Sequence, residues 1–203
     1  MPTTADHDTY RLSTLDNETG RAMWHLCGMP QLVILTGPIA AGKNTVADKL
    51  TERLTGHGRT VVVADVDDVA AMVGSPGAGS AGLWFAAHEA HGALVGQWMR
   101  SNVDYVVAVG PFHTAEERAA LTRRLPCDAS VLWVVIDAAV SVTLARAQAD
   151  PGRGLSRDPG FHHRAHRRFR ELLPTIPADL AFDSETLDAE QIAAAIANTL
   201  GVG

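Results

Sequence analysis

Nine consecutive residues constrain this chain more than any others: Gly37-Pro38-Ile39-Ala40-Ala41-Gly42-Lys43-Asn44-Thr45. They fit the spacing G-x-x-x-x-G-K, and their flanks matter as much as the spacing. Leu32–Leu35 before them is a short unbroken apolar run, as expected of a strand covered on both faces. Lys43–Thr55 after them carries Val46, Leu50 and Leu54 at intervals of four, the repeat of a helix with one apolar face. A strand that turns through two glycines into a helix is suited to wrapping an anion. Gly37 and Gly42 reach backbone dihedrals closed to other residues. Successive N–H groups then point into one concavity. The helix that begins near Lys43 brings the positive end of its dipole to the same point, and Lys43 reaches the outer phosphates. Gly37, Pro38, Ala40, Ala41, Gly42, Lys43, Asn44 and Thr45 are therefore the candidate phosphate-binding residues.

The rest of the chain repeats the strand–helix alternation. Strands are predicted at Leu32–Leu35, Val61–Ala64, Tyr105–Val109, Val131–Ile136 and Leu180–Phe182. Helices are predicted at Lys43–Thr55, Asp67–Val73, Leu83–Met99, Ala115–Arg124, Ala138–Ala149, Phe161–Leu172 and Ala189–Leu200. Crossovers of this length join parallel strands, so the expected fold is α/β, with a parallel sheet covered by helices on both faces. Residues 1–28 are polar and weakly patterned; they read as an N-terminal extension, either a hairpin about Asn17–Gly20 or flexible, ahead of a single domain at 29–203. Gly77, Gly79 and Gly82 match G-x-G-x-x-G. That run does not directly follow a strand, as a dinucleotide site requires, so it reads as a loop over the substrate side.

Composition excludes several classes. With 203 residues and 46% hydrophobic content the chain can bury a full core. No apolar run approaches a membrane span, and no basic-then-apolar leader opens the sequence. Cys27 and Cys127 lie far apart without metal-ligand spacing, so a cytoplasmic chain with reduced thiols and no membrane partner is expected. A net charge of −6 argues against nucleic acid as a partner. Oligomeric state is not readable from the sequence. Lys43 and Lys49 are the only lysines among 17 basic residues. Seven of the arginines fall between Arg146 and Glu171, against three carboxylates. Such a segment is either a solvated helix or a cover for an anionic ligand. His162, His163 and His166 lie inside it, where the arginines would repel a cation; they are expected to extend an anion-binding lid rather than hold a metal.

Asp65-Val66-Asp67-Asp68 closes the second strand. Ligands of open α/β sheets bind beyond the carboxyl ends of the strands, so these carboxylates share a rim with the glycine loop. One can hold Mg²⁺ or its water, one can accept a proton from a hydroxyl, and Asp67 or Asp68 is expected to cap the next helix. Asp67 is the candidate for chemistry.

From Gln31 to Gly201 the chain resembles the small P-loop kinases: shikimate and gluconate kinases and chloramphenicol phosphotransferase. The glycine loop, a Walker A sequence, carries the resemblance specifically. Asp65-x-Asp67 carries it by position. The resemblance implies a P-loop NTPase three-layer sandwich, a five-stranded sheet in the order 2-3-1-4-5, and an arginine-rich lid. It implies ATP and Mg²⁺ as cofactors, with Asp65 and Asn44 toward the metal and Asp67 on the acceptor hydroxyl. Arg146 takes the adenine-stacking position and Arg153 the lid position, with Arg157 a rival. Lys43, Asp67, Arg153 and Arg157 are thus the candidate catalytic groups. Trp84, His88, His91, Phe112 and His113, with Trp98, are candidates for the acceptor side, although the aromatic residues also suit a core; Trp133 reads as core.

The sequence departs from the family at three places. Asn44 stands where Ser or Thr usually follows the loop lysine, with Thr45 one place late; an amide carbonyl is an acceptable oxygen ligand. Val109-Gly110-Pro111-Phe112 offers no Walker B acid and no G-G-G run, which speaks against shikimate. No N-K-x-D occurs, which favours ATP over GTP. The implied activity is transfer of the γ-phosphate to a hydroxyl of a small molecule, such as an antibiotic or a sugar acid. The alternatives are a nucleoside or nucleotide kinase, or an ATP-binding regulatory module with little turnover.

Overall fold

The computed structural model describes residues 30–202. The hairpin expected about Asn17–Gly20 lies outside the described residues, as does Cys27. The sheet explains why the first strand is apolar throughout. β1 (Gln31–Thr36) lies at its centre, paired in parallel with β3 (Tyr105–Val109) on one side and β4 (Ser130–Asp137) on the other. β2 (Val61–Asp65) pairs outside β3, and β5 (Leu180–Asp183) outside β4, giving the order 2-3-1-4-5.

Alternate β1 side chains enter opposite cores. Val33 and Leu35 pack against α1 (Lys43–Gly56) and α7 (Ala189–Thr199), on Val46, Leu50, Ile192 and Ile196. Leu32 and Ile34 face Val95 and Met99, at the end of α3 (Trp84–Trp98), together with Phe112, just past β3, and Leu121 of α4 (Ala115–Thr122). All four β1 residues are fully buried, each contributing roughly 1.5–3 kcal/mol relative to exposure. Helices therefore cover both faces, and the loops at the carboxyl ends of the strands are left to build a site.

Two local features decide how those loops are held. The short α2 (Val66–Ala71) starts one residue earlier than predicted, and the cap expected of Asp67 or Asp68 is corrected: Asp65 is the N-cap and accepts from Asp67 N at 2.9 Å, which places both of the others inside the first turn. α3 lies unusually close to α4: a Cβ on Gly92 would sit 2.0 Å from the Ala120 carbonyl oxygen. Past β4 come α5 (Val140–Ala149), a loop with a 3-10 turn at Leu155–Arg157, and α6 (Pro159–Leu172). Trp133 is half-buried at the edge of the α3 core. Among the described residues no helix is long and apolar enough to cross a membrane.

Candidate active site

The glycine loop follows β1 directly and enters α1 at Gly42, whose φ of 101° makes it a left-handed N-cap. No side chain caps this helix, so its first N–H groups point into the loop unshared. Glycine at 37 is required by packing as well as by its φ of 148°: a Cβ there would meet the Ile136 carbonyl oxygen at 1.9 Å. Ala40 also takes a left-handed conformation, φ 57°, at a cost of roughly 1–2 kcal/mol that the loop absorbs. Pro38 has no N–H to offer; its carbonyl accepts from Lys43 Nζ at 2.9 Å, and that of Gly37 accepts at 3.1 Å. The ammonium thus curls into the loop. Burial pulls its pKa down to about 8, against the pull of Asp67 and Asp65 and with a further push from Arg153.

Asp65 joins the loop to β2. Its Oδ1 caps α2 and its Oδ2 accepts from Asn44 Nδ2 at 2.6 Å. The two residues expected near a metal are therefore bonded to each other. Asp67, relieved of capping by Asp65, is exposed on the first turn of α2. Its pKa is raised, first by partial desolvation of the carboxylate and then by the Asp65 charge; Lys43 and Arg153 act in the opposite sense. Lys43, Asp65, Asp67 and Arg153 thus share one electrostatic neighbourhood. Thr45 is exposed on α1.

The aromatic and histidine candidates form a layer under this rim. His91, fully buried, donates Nε2–H to the Ala64 carbonyl at 2.9 Å and stacks on Phe112. His88, 1% exposed, lies edge-on to both Trp84 and Phe112 with neither ring nitrogen paired. Burial lowers the pKa of both rings. Trp84 is half-buried and packs with Ala70, Ala78 and Ala87, so the glycine-rich loop is seated on α2 and α3. His113 stands apart from this layer. It donates Nε2–H to Gly37 O at 3.2 Å and packs on Phe169, which makes it a prop of the phosphate loop. Burial, then the Lys43 charge, brings its pKa down to about 4. Trp98 does not join the group. It is 39% exposed and ends α3, about 20 Å along the helix axis from Trp84.

Three arginines occupy the opposite flank. Arg146 donates to Ser184 Oγ at 2.9 Å and to Ser184 O at 2.8 Å, beside the carboxyl end of β5. Arg153 pairs with Asp150 at 3.1 Å, and Arg157 reaches the Gln148 carbonyl at 3.5 Å. The expectation that His162 and His166 extend an anion-binding lid is corrected, because both are buried and bonded inward. His162 bridges Ser156 O at 3.0 Å and Thr143 Oγ1 at 2.9 Å, and His166 reaches Ala138 O at 3.0 Å. They tie the buried face of α6 to α5, to the loop before it and to the end of β4. His163 is exposed.

Sequence reasoning passed over Thr36, whose buried Oγ1 accepts from Phe112 N at 3.2 Å and ties the loop to the end of β3. It also passed over Ser184 and the Arg170–Asp137 pair. Their common signal is position: each carboxylate or hydroxyl ends a strand on the ligand rim. Among the described residues no cluster of three or more His, Cys, Asp or Glu side chains is suited to hold a metal by itself.

Comparison with known proteins agrees with this geometry. A family model described as an AAA domain matches residues 32–172. No curated protein matches. Among solved structures, the shikimate kinase of Bacteroides thetaiotaomicron superposes with a TM-score of 0.62 at 14% identity, over 84% of this chain and 98% of that one. The Deinococcus radiodurans tunicamycin resistance protein gives 0.60 at 18% identity, over 86% and 97%. The Mycobacterium tuberculosis APS kinase, in complex with AMPPNP and APS, gives 0.60 at 16%, over 85% and 98%. Identities this low speak for the fold alone. Since the matched residues run from the first strand through the arginine-bearing helix, the chain belongs to the AAA domain family and has the fold of the small P-loop kinases.

Proposed function

We propose that the protein transfers the γ-phosphoryl group of Mg·ATP to a hydroxyl of a small molecule. One observation carries the reading: a proton-accepting carboxylate, Asp67, stands free in the electrostatic field of the loop lysine, Lys43. Phosphoryl transfer asks mainly for positioning and charge neutralisation. In this reading the backbone amides from Ala40 to Thr45, with Lys43, hold the β- and γ-phosphates. Arg153, with Arg157, closes from the lid over the transferred group. Arg146 lies against the base, and Asp67 takes the proton of the attacking hydroxyl. Its raised pKa makes it a better acceptor than a free carboxylate.

Asp65 and the amide oxygen of Asn44 fit a Mg²⁺ ion held mostly by phosphate oxygens and water, because such an ion needs only one or two protein oxygens. Bound there, it would neutralise the phosphate charge. The chain's own contribution is the Asn44–Asp65 bond, which fixes that carboxylate before nucleotide arrives.

The test is transfer from γ-labelled ATP to a panel of hydroxyl acceptors. Asp67→Asn is expected to lose at least about 10²-fold in kcat while keeping its nucleotide affinity. Lys43→Ala is expected to lose the affinity. ATP binding without transfer to any acceptor would favour the regulatory module, a reading supported by Asn44 in the place of a hydroxyl residue.

A further inference from the structure

We propose that residues 1–29 of this chain dock along the outward face of α3, covering it from Trp98 toward Leu83. The proposal stands apart from the phosphotransferase reading and uses none of its catalytic groups.

The face itself is the first observation. The exposed residues of α3 are Phe85, Ala86, Ala90, Leu94, Gln97 and Trp98, and only Gln97 is polar. All but Phe85 fall on one stripe, which Leu83 continues just before the helix. The other side of α3 is already packed on the sheet: Val95 lies in the core with Val106 and Ala108, and His91 donates to the Ala64 carbonyl. Glu89, the one carboxylate of the helix, is paired with Arg123 at 2.9 Å. A helix with apolar residues on both sides is expected to be covered on both sides. Among the described residues nothing covers the outer stripe: Leu83 is 44% exposed, Leu94 40% and Trp98 39%.

The second observation is where the chain leaves the described fold. Residues 99–104 join the Trp98 end of α3 to β3, and Gln31 N donates to the Asp104 carbonyl at 2.9 Å. Pro30 therefore enters the sheet at the end of the fold where Trp98 is exposed. The residues before it have ample reach, because about seven extended residues span the roughly 20 Å of the face. Their composition suits the stripe. Met23, Trp24 and Leu26 come first from the tether, and Tyr10, Leu12 and Leu15 lie further out.

Charge is the third. Residues 1–29 hold four carboxylates, Asp6, Asp8, Asp16 and Glu18, against Arg11 and Arg21. At the Trp98 end of α3, Arg100 and Arg124 are exposed. Arg100 donates to the Gly96 and Arg124 carbonyls, and among the described residues neither arginine is paired with a carboxylate. A second copy of the chain is the rival occupant. A face about 20 Å long and about 10 Å wide offers roughly 200–300 Å², against about 800 Å² per partner in a stable interface. A tethered segment needs less, because its effective concentration is in the millimolar range without any encounter.

The experiment digests the full chain with trypsin and follows cleavage after Arg21 by intact mass. A synthetic peptide of residues 1–29 is the reference for an undocked segment. The full chain is expected to be cut at least about tenfold more slowly than the peptide, since cleavage tracks the released fraction. Leu94→Glu places a charge in the stripe and is expected to bring the rate to within about twofold of the peptide. Ala90→Glu, on the same exposed stripe, gives the same readout if the first variant does not fold. A full chain cut as fast as the peptide overturns the proposal. Slow cleavage that both variants leave unchanged places the segment elsewhere and overturns it too. Slow cleavage that appears only as the protein concentration rises gives the face to a second copy, which also overturns it.

Discussion

The curled lysine makes nucleotide binding pH-dependent in a range where few other groups titrate. In the folded chain Lys43 has a pKa of about 8, below its ordinary 10.5, because its ammonium is buried against the Gly37 and Pro38 carbonyls. A polyphosphate in the loop would raise that pKa again. The sign follows directly. Below pH 8 the ammonium is ready-made. Above it the amine must take up a proton to bind, so affinity falls as pH rises through 8. With the bound-state pKa above about 10, the dissociation constant grows as one plus ten to the power of pH minus 8. From pH 7.5 to pH 9 the loss is about eightfold, or roughly 1.2 kcal/mol. Proton uptake per nucleotide should rise from about 0.2 to about 0.9 over the same interval. Isothermal calorimetry of a non-hydrolysable ATP analogue, run in buffers of different ionisation enthalpy, reads both quantities. Lys43→Arg, permanently charged, should bind more weakly but with a flat profile and no uptake. A wild-type affinity that is constant from pH 7.5 to 9.5, without proton uptake, would refute the placement of Lys43.

Three further outcomes follow from packing and protonation. Gly92→Ala forces a Cβ to within 2.0 Å of the Ala120 carbonyl oxygen, so α3 must back away from α4; the expected loss is about 1–3 kcal/mol, read as a fall in the thermal midpoint, and an unchanged midpoint counts against the helix contact. His113 is held neutral with its pKa lowered to about 4, so the stability of its neutral form is present above the ordinary 6.5 and lost as pH falls toward 4. Denaturant unfolding at pH 4.5 should therefore show about 2–3 kcal/mol less stability than at pH 7 from this group, a difference that His113→Gln abolishes. His162→Ala removes the bridge between Ser156 and Thr143; kcat is expected to fall about tenfold or more with nucleotide affinity within twofold, and an unchanged kcat counts against a role for this bridge in placing the arginine-bearing loop.

The sheet was legible because its periodicities are strong. Five apolar runs at crossover spacing leave little freedom, and Leu32–Leu35 is apolar throughout because both of its faces are covered. Gly37 was legible as a turn residue, yet its second constraint comes from Ile136 on a neighbouring strand, a contact that chain order hides. The histidines of α6 were misread for a related reason. Their arginine neighbours in sequence point to solvent, while His162 and His166 fall on the one face of that helix that meets α5 and the end of β4. Local charge described the helix and tertiary packing chose the face. Trp98 was misplaced because an aromatic residue at helical spacing carries no information about how far along the axis the site extends.

Asn44 shows best what the site adds to the motif. As sequence it is a departure, an amide where a hydroxyl is usual, and it raises doubt about a metal ligand. In the fold it meets Asp65, 21 residues further on, through a 2.6 Å hydrogen bond. A hydroxyl has one proton to donate; an amide nitrogen has two, and its carbonyl oxygen remains as an acceptor. The substitution therefore fastens the phosphate loop to the end of β2 without using up the oxygen. Held in this way, Asp65 also caps α2 by accepting from Asp67 N, and the Asp67 carboxylate is left without a partner on the first turn. A residue that looks like a defect in the phosphate loop is the first link in the chain of contacts that leaves the carboxylate proposed to meet the acceptor unpaired.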